Sequence, residues 1–261
     1  MFKGVFKEQA VQVGIGFVFV IVLLGTFVLP EWMSNNFMYG LSRGLAVLGL
    51  MILWRTNLVS FGHALYYGVG AYSVAIAQKY LGVTDIFLRV VIAIIAAGLL
   101  GYVLGFILRK YREIFFAMLS LAFSMVLYGL LAKAEFLGST DGMSISPSTL
   151  FGLEIGRFGL FYFIGLIVII SLIFAHCYLR SSLGHLTTAI SDNEIRVEYL
   201  GYSVQKAIHI KYIISACLAG GAGGLMAASL GQVDPDSMVL WSVSGELVFV
   251  TIMAGLGNIL A

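Results

Sequence analysis

The chain has 261 residues, 60% of them hydrophobic and 11% charged, with a net charge of +2 and a mean hydropathy of +1.00. A soluble domain carries about a quarter charged residues, so this composition excludes a water-soluble globular protein. The charge balance is too small, and too free of basic clusters with interleaved aromatics, to point to nucleic acid.

A membrane span needs about 20 apolar residues. On that rule the fold class is all-α, a polytopic membrane helix bundle of about eight transmembrane helices with a cytoplasmic N-terminus. Residues 1–261 are expected to form a single transmembrane domain. Lys3 and Lys7 precede the uncharged run Val11–Val28, which is longer than the roughly 7–15 residues of a signal-peptide core. Pro30-Glu31-Trp32 also lacks a small-x-small cleavage site, so residues 10–29 read as a retained first span. The second, at 38–54, is interrupted by Arg43 and is either short or lines protein rather than lipid.

The third span, at 57–78, carries no formal charge but contains Asn57, Ser60 and His63. Gly62, Gly68 and Gly70 weaken a helix there and let backbones approach. One interpretation is tight packing through small residues. The other is a broken helix lining a pathway, which membranes tolerate only in a buried or cavity-lining position. His63, the histidine deepest in a span, is a hydrogen-bonding packer more readily than a proton carrier. His176, His185 and His209 lie near the inner face, and their spacing supplies no metal motif.

Spans four (89–108) and five (114–132) flank the basic turn Arg109-Lys110-Tyr111-Arg112. Gly101-x-x-x-Gly105 in the fourth is a helix-contact motif, extended by Ala97. An outer loop follows at 133–158, with a turn at Asp141-Gly142. The sixth span covers 159–179 and the seventh 208–229, where Gly220-x-x-x-Gly224, extended by Ala216, repeats the contact motif. Cys177 and Cys217 fall in these apolar segments and are expected to be buried thiols. The eighth span, 239–261, holds Glu246, the one carboxylate inside an expected span. It lies close to the preceding loop and is expected at the outer interface.

With the N-terminus inside, the inner segments carry Lys3, Lys7, Arg55, Arg109, Lys110, Arg112, Arg180, Arg196 and Lys206. The polar segment 181–206 is then cytoplasmic. In it Ser191 and Glu194 form an S-x-x-E capping box, and Gly201 stands where a left-handed residue would end the helix. Ile195, Tyr199 and Leu200 form an apolar stripe among Arg196 and Glu198. The segment is either a short amphipathic helix at the membrane surface or a docking helix for a cytoplasmic motor. No P-loop is present.

Three blocks carry a family resemblance: Ala189-Ile190-Ser191-Asp192-Asn193-Glu194, Leu200-Gly201, and Ser215-Ala216-Cys217-Leu218-Ala219-Gly220-Gly221-Ala222-Gly223-Gly224. Together they resemble the membrane permeases of branched-chain amino acid ABC importers, a family that also includes urea and short-chain amide importers. Asn57 to Tyr72, with its G-x-G-A-Y ending, and Ser244-Gly245-Glu246-Leu247 through Asn258 are similar to further family segments. The likeness covers roughly residues 40–261. The family usually has arginine where this chain has Ser191, smaller residues at Val197 and Glu198, and glycine at Ala254. It also continues past the position of Ala261, so the chain is expected to be either truncated or a short member.

The resemblance implies a coupling helix made by Ala189, Ser191, Asp192, Glu194, Leu200 and Gly201. It implies a substrate pathway at Asn57, Ser60, Gly62, His63, Gly68, Gly70 and Tyr72, with helix packing at Gly101, Gly105, Gly220 and Gly224. It further implies a multi-pass protein of the inner (plasma) membrane, without enzyme activity, metal or cofactor of its own. ATP and Mg would belong to two cytoplasmic ATP-binding subunits. A homologous permease subunit and an extracytoplasmic solute-binding protein, met in part by the outer loop around Asp141, would complete the assembly. A urea or amide importer is the alternative within the family. A stand-alone secondary transporter or channel would need ionisable residues in the membrane core, and His63, Arg43 and Glu246 are few and scattered. An intramembrane enzyme would need a nucleophile elbow, metal motif or paired carboxylates that the chain lacks.

Overall fold

The computed structural model describes residues 30–255, so the expected first span and the last residues of the eighth lie outside the described residues. In chain order the helices are α1 (Glu31–Trp54), α2 (His63–Leu81), α3 (Ile86–Leu108), α4 (Glu113–Lys133) and α5 (Arg157–Arg180). They continue with α6 (Ser182–Asp192), α7 (Glu194–Tyr199), α8 (Val204–Leu230), α9 (Pro235–Met238) and α10 (Trp241–Ala254). Among the described residues six stretches are long and apolar enough to cross a membrane: α1, α3, α4, α5, α8 and the combined run Pro235–Ala254.

Residues 55–62 are not helical, and α2 begins only at His63, so the expected continuous third span at 57–78 is corrected. The cause is local. Asn57 takes φ 58°, a left-handed conformation that a helix cannot contain. Gly62 then lies against the carbonyl of Ser120, about two turns into α4, where any Cβ would collide. The first turn of α2 therefore starts inside the bundle, and its Ala64 N–H donates to Ser244 Oγ at 2.9 Å.

The helix α8 is the axis of the fold and packs on α1, α2 and α3. Its small residues permit this. A Cβ on Gly220 would meet Ala97 of α3, one on Gly224 would meet Ala93, and one on Gly101 would meet Ala216. Gly105 packs against the His209 ring. The two glycine motifs thus face one another across the α3–α8 contact. On the α2 side, Gly70 meets the carbonyl of Gly220 and Gly223 that of Tyr67. Gly68 packs on Val239, the residue following α9, whose carbonyl accepts from Ser124 Oγ at 3.3 Å. Residues 234–244 therefore turn back into the bundle rather than lying across its end.

The 133–158 loop adds β structure to an otherwise helical protein. Strand β1 (Met143–Ser144) pairs antiparallel with β4 (Gln232–Val233), and β2 (Thr149–Leu150) with β3 (Leu153–Glu154). Arg89, fully buried in the first turn of α3, holds this loop down. Its Nε donates to Val83 O (3.0 Å), Nη1 to Ser146 O (3.2 Å) and Ser148 Oγ (3.1 Å), and Nη2 to Gln78 Oε1 (3.1 Å) and Ser146 Oγ (3.3 Å). Asp85 caps α3 and also accepts from Phe151 N–H at 2.7 Å.

Cys177 is exposed and Cys217 only half-buried, and both are free thiols. The expectation of two buried cysteines fails because a membrane helix turns apolar side chains outward to lipid.

Candidate functional site

At the end of the bundle opposite the β strands, α6 and α7 meet the α1–α2 and α3–α4 connections. Ser181 starts α6 by accepting from Gly184 N–H at 3.3 Å. The helix ends at Asn193, which is extended at φ −163° and caps α7 by accepting from Arg196 N–H at 3.0 Å. The expected Ser191–Glu194 capping box is therefore corrected: Ser191 belongs to the last turn of α6, and Asn193 caps instead. An asparagine two residues later is at least as strong an N-cap as serine, and it frees Glu194 for another partner.

That partner is Arg112. Its Nε meets Glu194 Oε1 at 2.6 Å, with the two side chains 29% and 35% exposed. Its Nη1 also donates to the carbonyls of Arg109 (2.6 Å) and Tyr111 (2.9 Å), so α7 is tied to the turn between α3 and α4. A second tie runs to the α1–α2 connection, where Asn57 Nδ2 donates to Ser191 O at 3.3 Å. Between the ties lies a cleft of about 300 Å³ bordered by Asn57, Arg112, Ser191 and Asp192. Beside it, burial lowers the pKa of Arg55, which caps α1.

The two faces of α7 differ sharply. Val197 is buried among Leu53, Leu58, Phe116 and Ile190. Ile195, Tyr199 and Leu200 are 63%, 87% and 75% exposed, and Tyr202 lies exposed nearby. Ala189 and Asp192 are exposed and Ser191 is half-buried. Gly201, directly after α7, takes φ 86°. Four large apolar or aromatic side chains are thus exposed within residues 195–202.

The residues assigned by resemblance to a substrate pathway are placed differently from one another. Asn57 is exposed at the α6–α7 end. Ser60, Gly62, His63, Gly68, Gly70 and Tyr72 are buried in the α2 contacts. His63 Nε2 lies 3.5 Å from Ser215 Oγ, which donates to Gly49 O at 2.6 Å and so joins α1 to α8.

Three features escaped the sequence. Arg112 pairs with Glu194 across 82 positions. Lys211, inside the expected seventh span, is fully buried in α8 without a hydrogen-bond partner among the described residues. Arg43 and Glu246, 203 positions apart, form an ion pair of 2.8 Å. Arg43 lies near the middle of α1, about 17 Å from either end of that helix. The signal available was a lone cation and a lone carboxylate in different apolar spans, which membranes favour as partners.

Residues 32–261 match the family model described as branched-chain amino acid transport system / permease component. The chain is 30% identical over 241 residues to the high-affinity branched-chain amino acid transport system permease protein LivM of Escherichia coli (strain K12), covering 81% of this chain and 56% of that protein. It is 29% identical over 241 residues to LivM of Salmonella typhimurium, with the same coverage. Against the probable branched-chain amino acid transport permease protein LivH of Methanocaldococcus jannaschii it is 25% identical over 221 residues, covering 80% of this chain and 67% of that one. The chain spans about half the length of the two LivM proteins it matches. No solved structure matches.

Proposed function

The chain belongs to the branched-chain amino acid transport permease family, and from that premise we propose that it is the membrane permease subunit of an ATP-driven importer of branched-chain amino acids. It acts in the plasma (inner) membrane beside a homologous permease. Two cytoplasmic ATP-binding subunits and an extracytoplasmic solute-binding protein complete the assembly. The N-terminus and the α6–α7 end face the cytoplasm, in line with the lysine and arginine bias. Eight spans result when α2 and the span at 10–29 are added to the six.

The observation that carries this reading is the exposed patch Ile195, Tyr199, Leu200 and Tyr202 on a helix held to two inter-helix connections. An ATP-binding subunit closing on that patch moves α7, and the Arg112–Glu194 and Asn57–Ser191 ties pass the displacement to α3–α4 and α1–α2. Coupling of this kind requires contacts that differ between two states, and the patch supplies a surface for them. ATP and Mg stay on the motor subunits.

The test is purification of the tagged chain in mild detergent from its own host, unmutated and with Tyr199→Glu plus Leu200→Glu. The unmutated chain is expected to bring ATP-binding subunits and a second permease with it. The double variant should lose the ATP-binding subunits and uptake while keeping the permease partner. Normal leucine uptake by the double variant would remove the docking role.

A further inference from the structure

The Arg43–Glu246 pair occupies an unusual position for two charges. Arg43 lies at mid-helix in α1, and Glu246 reaches it from α10 at 2.8 Å, yet the side chains remain 44% and 56% exposed. Charged groups at membrane depth do not face lipid chains; they line water-filled cavities or meet partners. Arg43, which Glu246 holds, borders a cavity of about 470 Å³ walled also by Tyr39, Gly40, Met226, Leu230 and Ser237, within the range of small-ligand pockets. Gly40 in its wall leaves room: a Cβ there would meet nothing within 4 Å. The Tyr67 hydroxyl is buried beside the same pair, close enough to sense both charges.

The pair is also incompletely used. The 2.8 Å contact engages one guanidinium N–H and one carboxylate oxygen. Arginine has five such donors in a fork that fits a carboxylate, and Glu246 keeps its other oxygen. The two charges of an α-amino acid sit on neighbouring groups, so one molecule reaches both members of a pair this short. We propose that Arg43 and Glu246 are the two poles of a binding site for a zwitterionic α-amino acid, Arg43 taking the carboxylate and Glu246 the ammonium, with Met226 and Leu230 against the aliphatic side chain. This rests on the importer reading above and assigns the substrate site to α1 and α10, away from the buried segment at the start of α2. The apolar walls suit a hydrocarbon side chain, and the opposed charges disfavour urea and simple amides.

The test uses the complete importer in proteoliposomes with radiolabelled L-leucine. The variant is Arg43→Leu combined with Glu246→Leu, which removes both charges and leaves neither orphaned. The expected result is unchanged subunit recovery, with leucine uptake lowered at least about 30-fold through loss of charge-assisted hydrogen bonds. A second measurement reads the site directly. In complex freed of solute-binding protein, Gly40→Cys is labelled with a maleimide in the presence of L-leucine or of isocaproamide, which lacks both charges. Leucine should protect the thiol, isocaproamide should not, and the double leucine background should abolish protection.

Uptake within about 3-fold of the unmutated importer, a margin well below the loss of one charged hydrogen bond, would overturn the proposal. So would equal protection by the amide. Loss of the second permease from the double variant would assign the pair to the subunit interface and overturn it as well. Failure of the importer reading looks different: the unmutated complex would then show no ATP-dependent uptake.

Discussion

Arg43 and Arg89 both sit within apolar helices of this protein, and their surroundings divide its work. Arg89 is fully buried and donates five hydrogen bonds, all to acceptors of its own chain. Arg43 is half exposed, makes one ion pair, and borders a cavity. Arg89 spends three bonds on Ser146 and Ser148 of the 143–149 loop and one each on Val83 and Gln78, so nothing remains for a ligand. Arg43 keeps most of its donors. The same guanidinium is a clasp where its donors are satisfied internally and a candidate recognition group where they are not. Burial by itself would have ranked the two in the opposite order of functional interest.

The largest effect expected from this contrast is on stability. Arg89→Leu removes five hydrogen bonds and takes the side-chain donor from the Val83 and Ser146 carbonyls, which should cost about 3–5 kcal/mol. Thermal unfolding in detergent reads the loss, and protease cleavage of residues 139–156 should rise with it. Arg43→Leu with Glu246→Leu should change unfolding by less than about 1 kcal/mol, because a half-exposed pair contributes little. If the Arg43 pair proves as costly to remove as Arg89, the distinction collapses and both arginines are structural. Arg89→Lys sharpens the same contrast. It retains the charge but offers three donors instead of five, without the planar fork, so a loss of roughly 2 kcal/mol is expected. Full retention of stability by the lysine variant would show that charge, not the hydrogen-bond fork, holds the loop.

How much of this could be read in the sequence follows from the range of each interaction. The membrane helices at 38–54, 89–108, 114–132, 159–179 and 208–229 were legible because hydropathy is summed over a long local window, and α1, α3, α4, α5 and α8 contain them. The late start of α2 was not, since a left-handed Asn57 and a Gly62 pressed on the Ser120 carbonyl do not lower mean hydropathy. The capping box misled because S-x-x-E at 191–194 competes with Asn193, and local motifs do not say which cap wins. The family was legible from the 189–194 and 215–224 blocks, and residues 32–261 match it. The pairs Arg43–Glu246 and Arg112–Glu194 join positions far apart in the chain, so periodicity carries no trace of them.

The smallest stability effect belongs to a third arginine, intermediate between the other two. Arg112 spends two hydrogen bonds on the carbonyls of its own turn and one on Glu194, across a partly exposed contact. An ion pair so placed is worth less than about 1 kcal/mol and weakens with salt. Arg112→Gln, Glu194→Gln and the double variant, compared in a thermodynamic cycle, should therefore show almost no coupling in unfolding. In the importer proposed above, transport should respond far more, because the pair joins the α7 surface to the α3–α4 turn: leucine imported per ATP hydrolysed should fall several-fold in each single variant. It should fall no further in the double, since either substitution already cuts the tie. Additive losses would mean that Arg112 and Glu194 act separately, and the force from α7 would then have to travel through the Asn57–Ser191 contact alone.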